Sequence, residues 1–157
     1  MDKLKDKRLW IALVAIVIII FGGVYFHESH AVASDVPGHV YRYDNSSNDR
    51  VLYLAFAQKG DHVIVTGNKQ DAINADKNHN NFNQAYQKQS KDATWEYKAN
   101  GNKLTLAKIK SKNNISQWEY LGILSTHRKF VAHGFNYQIA KAGQGKVNKR
   151  MVFQKVN

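Results

Sequence analysis

The 157-residue chain contains no cysteine. That excludes disulfides, a thiol nucleophile, thiolate metal sites and a lipid-carrying N-terminal cysteine. Proline is nearly absent too; Pro37 is the single one. With Gly38 it reads as the punctuation that starts the folded domain after a short linker, His27 to Pro37. Acidic residues are scarce, 12 against 23 Lys and Arg, for a formal net charge of +11. The imbalance lies almost wholly beyond residue 33. The first 33 residues hold Lys3, Lys5, Lys7 and Arg8 against Asp2, Asp6 and Glu28, which leaves 19 basic and 9 acidic residues downstream. Such an excess suits attraction to polyanions and says nothing about fold.

Leu9 to Phe26 (LWIALVAIVIIIFGGVYF) carries no charge over eighteen residues. As a helix it spans roughly 27 Å, close to a ~30 Å hydrocarbon core. Val14–Phe21 is apolar on every face, which suits lipid. Basic residues precede the run and none lies between His27 and Pro37, so the positive-inside rule predicts a single pass with the N-terminus in the cytoplasm and the rest outside. Two outcomes remain open. The length of the run favours an uncleaved signal anchor, whereas Ala31-Val32-Ala33 is an A-x-A site whose cleavage before Ser34 would secrete the domain. Residues 1–33 are thus expected as basic tip, anchor or signal peptide and linker, and 34–157 as one extracellular domain.

That domain reads as about eight antiparallel strands in a barrel or sandwich, all-β apart from one short helical insert. Strand patterns cover Val40–Tyr43, Val51–Ala57, His62–Thr66, Thr94–Lys98, Lys103–Ile109, Ser116–Ser125, Phe130–Lys141 and Arg150–Val156. Asn100-Gly101 is the strongest hairpin signal. In Gln70–Lys91, Phe82, Ala85, Tyr86 and Gln89 share helical spacing, which predicts a helix over Asn80–Ser90; Asp76–Asn83 is polar enough to be a loop instead. Alternation puts Val131, His133, Phe135, Tyr137 and Ile139 on one inward face. Ser116–Ser125 is apolar on both faces, which asks for a cover, and the Asn80–Ser90 helix is the candidate.

Catalytic frames are missing. Glu96 and Glu119 sit in matching Trp-Glu-Tyr triplets, but alternation turns both acids to solvent if the aromatics face the core. His39, His62, His79, His127 and His133 lack the i, i+2 or i, i+4 spacing with a nearby acid that zinc sites show. There is no G-x-S-x-G elbow, no P-loop and no G-x-G-x-x-G after a strand. Gly143-Gln144-Gly145-Lys146 precedes a strand rather than a helix and reads as a flexible hairpin loop. Basic residues gather in the C-terminal half, among them Lys108, Lys110, Lys112, Arg128, Lys129 and Lys146. Outside a cell their expected partner is anionic wall polymer or lipid, not nucleic acid.

Several motifs come together across about 120 residues: a Gly-led opening strand (Gly38-His39-Val40-Tyr41), F-x-x-x-G-x-x-V from Phe56 to Val63, W-x-Y-x-x-x-G-N-x-L-x-L from Trp95 to Leu106, and a closing strand Lys149–Lys155. In these the chain resembles the small lipocalin-like β-barrel domains of exported Gram-positive proteins. The resemblance implies that Tyr41 packs on Arg150 of the closing strand in a cation–π contact. It also implies a non-enzymatic domain, without cofactor or metal, that binds a small apolar ligand or cell-envelope component in a cavity of a few hundred Å³. Leu54, Phe56, His133, Phe135 and Tyr137 are the expected lining. The alternative is a basic interaction module, with Lys108, Lys110, Lys112, Arg128, Lys129 and Lys146 docking on an anionic polymer, a lipid surface or an acidic partner protein.

Overall fold

The computed structural model describes residues 7–45, 50–139 and 143–156, without the side chains of residues 7–13, 22, 25, 28, 29 and 45. The chain opens with a 24-residue helix, α1 (Lys7–His30). Along its middle Val14, Ile18, Ile19 and Phe21 are each at least half exposed among the described residues. Among the described residues no helix is long and apolar enough to cross a membrane. The span expected over Leu9–Phe26 falls partly on residues 9–13, 22 and 25, whose side chains lie outside the described set.

One residue after α1 the chain enters a single helical turn, α2 (Val32–Asp35). Val32 and Val36 are fully buried and belong to the main core. The core therefore reaches back across the Ala33–Ser34 junction.

The rest is two antiparallel sheets and a helical insert, and among the described residues the strands form no closed barrel. The first runs in the order β3 (Val63–Thr66), β2 (Arg50–Phe56), β1 (Val40–Asn45), β11 (Met151–Lys155), β8 (Lys129–Ala132) and β7 (Leu124–Thr126). The second runs β10 (Gly143–Val147), β9 (Gly134–Ile139), β6 (Asn114–Leu121), β5 (Lys103–Ser111) and β4 (Thr94–Asn100). Alternation sends Tyr41, Leu54, Phe56, Val63, Phe130 and Phe153 of the first sheet against Tyr97, Leu104, Leu106 and Tyr120 of the second. At one side the sheets meet through a bridge between His62 and Glu96 and a hydrogen bond from Tyr97 N to Asp61 O. At another they share chain, since β6 leads into β7 and β8 into β9.

That sharing explains two departures from the sequence reading. The expected strand Ser116–Ser125 breaks at Gly122, which adopts φ +60°, a conformation that favours glycine. The expected strand Phe130–Lys141 breaks at His133, whose N–H donates to Leu121 O at 3.0 Å; residues 140 and 141 lie outside the described set. Each break moves the chain to the other sheet and resets the alternation. Inward residues are Phe130 and Ala132 before the break, then Phe135, Tyr137 and Ile139 after it. The apparent two-faced burial of Ser116–Ser125 is the same effect, with Trp118 and Tyr120 inward before Gly122 and Ile123 fully buried after it.

Two further corrections concern the loops. Gly143–Val147 is not a loop but edge strand β10, paired with β9. The insert is two helices, α3 (Lys69–Asp76) and α4 (His79–Ser90), rather than one. Asn68 caps α3 by accepting from Gln70 N at 2.8 Å and Asp71 N at 3.3 Å; Asn78 caps α4 by accepting from Asn81 N at 2.8 Å. The pair does not cover Ser116–Ser125. It lies on the outer face of the first sheet, where Ala72, Ala75, Phe82 and Tyr86 pack on Val40, Ala55 and Ile64 in a second core. Gln89 of α4 also completes edge strand β3: its Oε1 accepts from Val65 N at 2.8 Å and its Nε2 donates to Val63 O at 3.1 Å. An edge so occupied is closed to another strand.

The Tyr41–Arg150 contact is absent for a reason of register. Tyr41 pairs with Lys155, and Arg150 lies exposed before β11 begins. Five strand residues, roughly 16 Å, separate the two positions. Tyr41 packs instead on Phe130 and Phe56, with ring centroids 4.9 and 6.0 Å away. Its hydroxyl donates to Asp35 O of α2 at 2.8 Å.

Candidate functional site

α2 and its neighbours fill one end of the space between the sheets, and the packing loosens toward the other. There, Tyr43 and Leu52 of the first sheet face Trp95, Leu106, Trp118, Tyr120, Phe135, Tyr137 and Ile139 of the second, around a cavity of about 270 Å³. No charged side chain is among its lining residues. The tryptophans of the twin Trp-Glu-Tyr triplets stack on each other, 5.5 Å between centroids and 14° between planes. Burial pushes the Tyr120 hydroxyl well above its ordinary value of 10, with the neighbouring Tyr43 acting in the same direction. Burial raises Tyr43 likewise. Both phenols are neutral at physiological pH, so the cavity wall carries aromatic surface, hydroxyls and no formal charge.

Leu54, Phe135 and Tyr137, three of the five expected lining residues, come together in this cavity. Phe56 does not join them. It is fully buried deeper in the core, with its ring edge-on to Tyr97 at 4.9 Å. Its other side borders a separate, polar cleft beneath α3 and α4 that includes Lys59, His62 and His79. His133 is exposed at the sheet-switching bend and is no part of the lining, because the break shifts it off the inward face. The two tryptophans, Tyr43, Leu106 and Tyr120 were not singled out from the sequence. The signal available for the aromatics was the repeated Trp-x-Tyr spacing, which places both rings of each triplet on one face.

The mouth is basic. Lys108 shares the inward face of β5 with Leu104 and Leu106, and its Nζ lies 5.4 Å from the Trp95 ring centroid. It makes no ion pair with a described residue. Lys110 and Lys112 follow, exposed, toward the tip of the β5–β6 hairpin. The other expected anion contacts lie elsewhere. Arg128 and Lys129 are exposed in the β7–β8 hairpin of the first sheet, where Lys155 N donates to Arg128 O at 2.8 Å, and Lys146 is exposed on edge strand β10. The six cations do not form one patch.

Glu96 and Glu119 both lie on the outer face of the second sheet, with β5 between their strands. Glu119 accepts from Lys103 Nζ at 2.9 Å and Asn136 Nδ2 at 3.1 Å. Those bonds, Lys103's first, hold its carboxyl below the ordinary range. Among the described residues no three His, Asp or Glu side chains are placed to hold a metal ion. Compared with known proteins, the chain matches no protein family, no curated protein and no solved structure.

Proposed function

We propose that this chain is a non-enzymatic, membrane-tethered binding protein of lipocalin-like type, whose two-sheet domain holds a small apolar ligand between the sheets. The observation that carries the reading is the cavity of about 270 Å³ lined by apolar and aromatic side chains, stacked Trp95 and Trp118 among them. A well-packed interior leaves few voids of that size, and binding sites are typically concave, apolar and largely preformed.

The tether rests on the charge-free run Leu9–Phe26 and on the uncovered apolar residues of α1, more contiguous apolar surface than a soluble domain ordinarily leaves bare. The burial of Val32 favours the uncleaved anchor over the secreted form, because cleavage before Ser34 removes a side chain from the core. The domain then stands outside the cell with its N-terminus inside.

Native mass spectrometry of the full chain, extracted from its membrane in mild detergent, tests the ligand reading. A co-purifying small molecule of defined mass supports it, and so does a rise in melting temperature on adding a small apolar compound. An apo mass together with a melting temperature that no such compound moves would sink it. The rival, docking on anionic wall polymer or lipid through dispersed lysines and arginines, would then be read from salt-sensitive retention on isolated cell walls.

A further inference from the structure

The cavity wall is uncharged, and a lysine adjoins it at one residue pair. Lys108 is the next inward-facing residue after Leu106, a cavity-lining residue, and it stands over Trp95, another. It is half-buried and without an acidic partner among the described residues. A lysine drawn from bulk water toward an aromatic face, with no carboxylate of a described residue to answer it, leaves its ammonium protons available to an incoming acceptor. Lys110 and Lys112 add positive potential on the same hairpin and favour approach of an anion.

We propose that the ligand is a single-chain anionic amphiphile, a carboxylate or similar acid on one short apolar chain or ring system, with its tail between Trp95 and Trp118 and its head on Lys108. This rests on the ligand-binding reading above and names the chemical class. The size of the cavity argues for one chain. At about 270 Å³ it lies below the roughly 300–1,000 Å³ of pockets that enclose drug-sized molecules, which leaves no room for a two-chain lipid. The rim argues for the charge, because a neutral ligand would leave the Lys108 ammonium partly desolvated and unpaired.

The test uses the full chain in nanodiscs of zwitterionic phosphatidylcholine, with empty nanodiscs correcting for partition of the probe. Of the three tryptophans, Trp10 is changed to Phe so that the remaining two report from the cavity wall. Tryptophan fluorescence is titrated with decanoate, with decan-1-ol, and with dioctanoyl phosphatidylglycerol as the two-chain acid. Decanoate is expected to bind about tenfold or more tighter than decanol, the order expected of one charge-assisted hydrogen bond. Lys108→Gln should abolish the preference for decanoate over decanol, and Lys108→Arg should keep it. Phosphatidylglycerol should bind no better than decanol. Equal binding of acid and alcohol, or a preference that survives Lys108→Gln, overturns the anionic head and leaves the apolar site standing. Tight binding of phosphatidylglycerol overturns the single chain. If neither decanoate nor decanol moves the fluorescence, the ligand-binding reading fails as well.

Discussion

Ser125 Oγ donates a 2.6 Å hydrogen bond to Asp35 Oδ2, across ninety residues of sequence. Ser125 is the one buried polar residue among the described ones, and its partner belongs to the α2 turn that follows the N-terminal helix. With the Tyr41 hydroxyl on Asp35 O, it fastens α2 to β7 and β1. Hydrogen bonds to a charged group stabilise by about 1.5–3 kcal/mol, so Ser125→Ala is expected to lower stability by roughly that amount. A double-mutant cycle with Asp35→Asn, read by denaturant unfolding, should return a coupling of about 1 kcal/mol or more. Additive effects would mean that the bond does not hold the turn.

Val32 is the deepest part of the same turn. Burying a valine side chain contributes about 1.5–3 kcal/mol, and Val32→Ala is expected to cost about 2 kcal/mol, cavity included. Ala33→Ser, at an exposed neighbour, should cost little. A chain starting at Ser34 should melt earlier than one starting at Ala31 by a similar margin. Equal melting temperatures would detach the turn from the core.

Glu119 gives the molecule a pH dependence of defined sign. Its carboxyl is held below the ordinary value of 4.5, first by the Lys103 bond and then by Asn136. A depressed folded-state pKa stabilises above the unfolded value and loses that contribution as the pH falls through the folded one. The stability gap between the native chain and Glu119→Gln should therefore be widest at neutral pH, shrink below 4.5 and close in stronger acid. Lys103 is half exposed, so the gap should also narrow in high salt. Urea unfolding of both chains across that range reads it directly.

Gly145 lies opposite Tyr137 on the β10–β9 ladder. A Cβ at Gly145 would come within 2.6 Å of the Tyr137 Oη and 2.7 Å of its ring. Gly145→Ala must therefore swing the tyrosine out of its place in the cavity wall, at a cost of about 1–3 kcal/mol. Adding Tyr137→Ala should recover part of that loss, because the clash disappears with the ring. Equal stability of Gly145→Ala and the native chain would show that Tyr137 moves freely.

How far the sequence could be read depended on whether local pattern and sheet membership agreed. Where a strand stays in one sheet, as in β4, alternation placed the tryptophan and tyrosine of a Trp-Glu-Tyr triplet on one face and its glutamate on the other. It failed where a strand changes sheets, at Gly122 and at His133-Gly134, because the change resets which parity points inward. His133 was lost from the site for that reason, whereas Phe135 and Tyr137 kept their place. α3 escaped because its buried residues are the alanines Ala72 and Ala75, which give little periodic signal; Asn68 with Asp71 in the first turn was the cue on offer. Gly143–Val147 has almost no strand-forming side chains, and only its ladder to β9 makes it a strand. The cation at the cavity mouth was legible as charge but not as position, since its place depends on which face of β5 turns inward.

The two bends at Gly122 and His133 lie side by side, and through them two neighbouring strands belong to both sheets. There is consequently no seam along which one sheet can peel away while the other survives. Unzipping β6 from β9 pulls on β7 and β8, so the domain is expected to melt in a single cooperative step, losing its ligand cavity and its fold together.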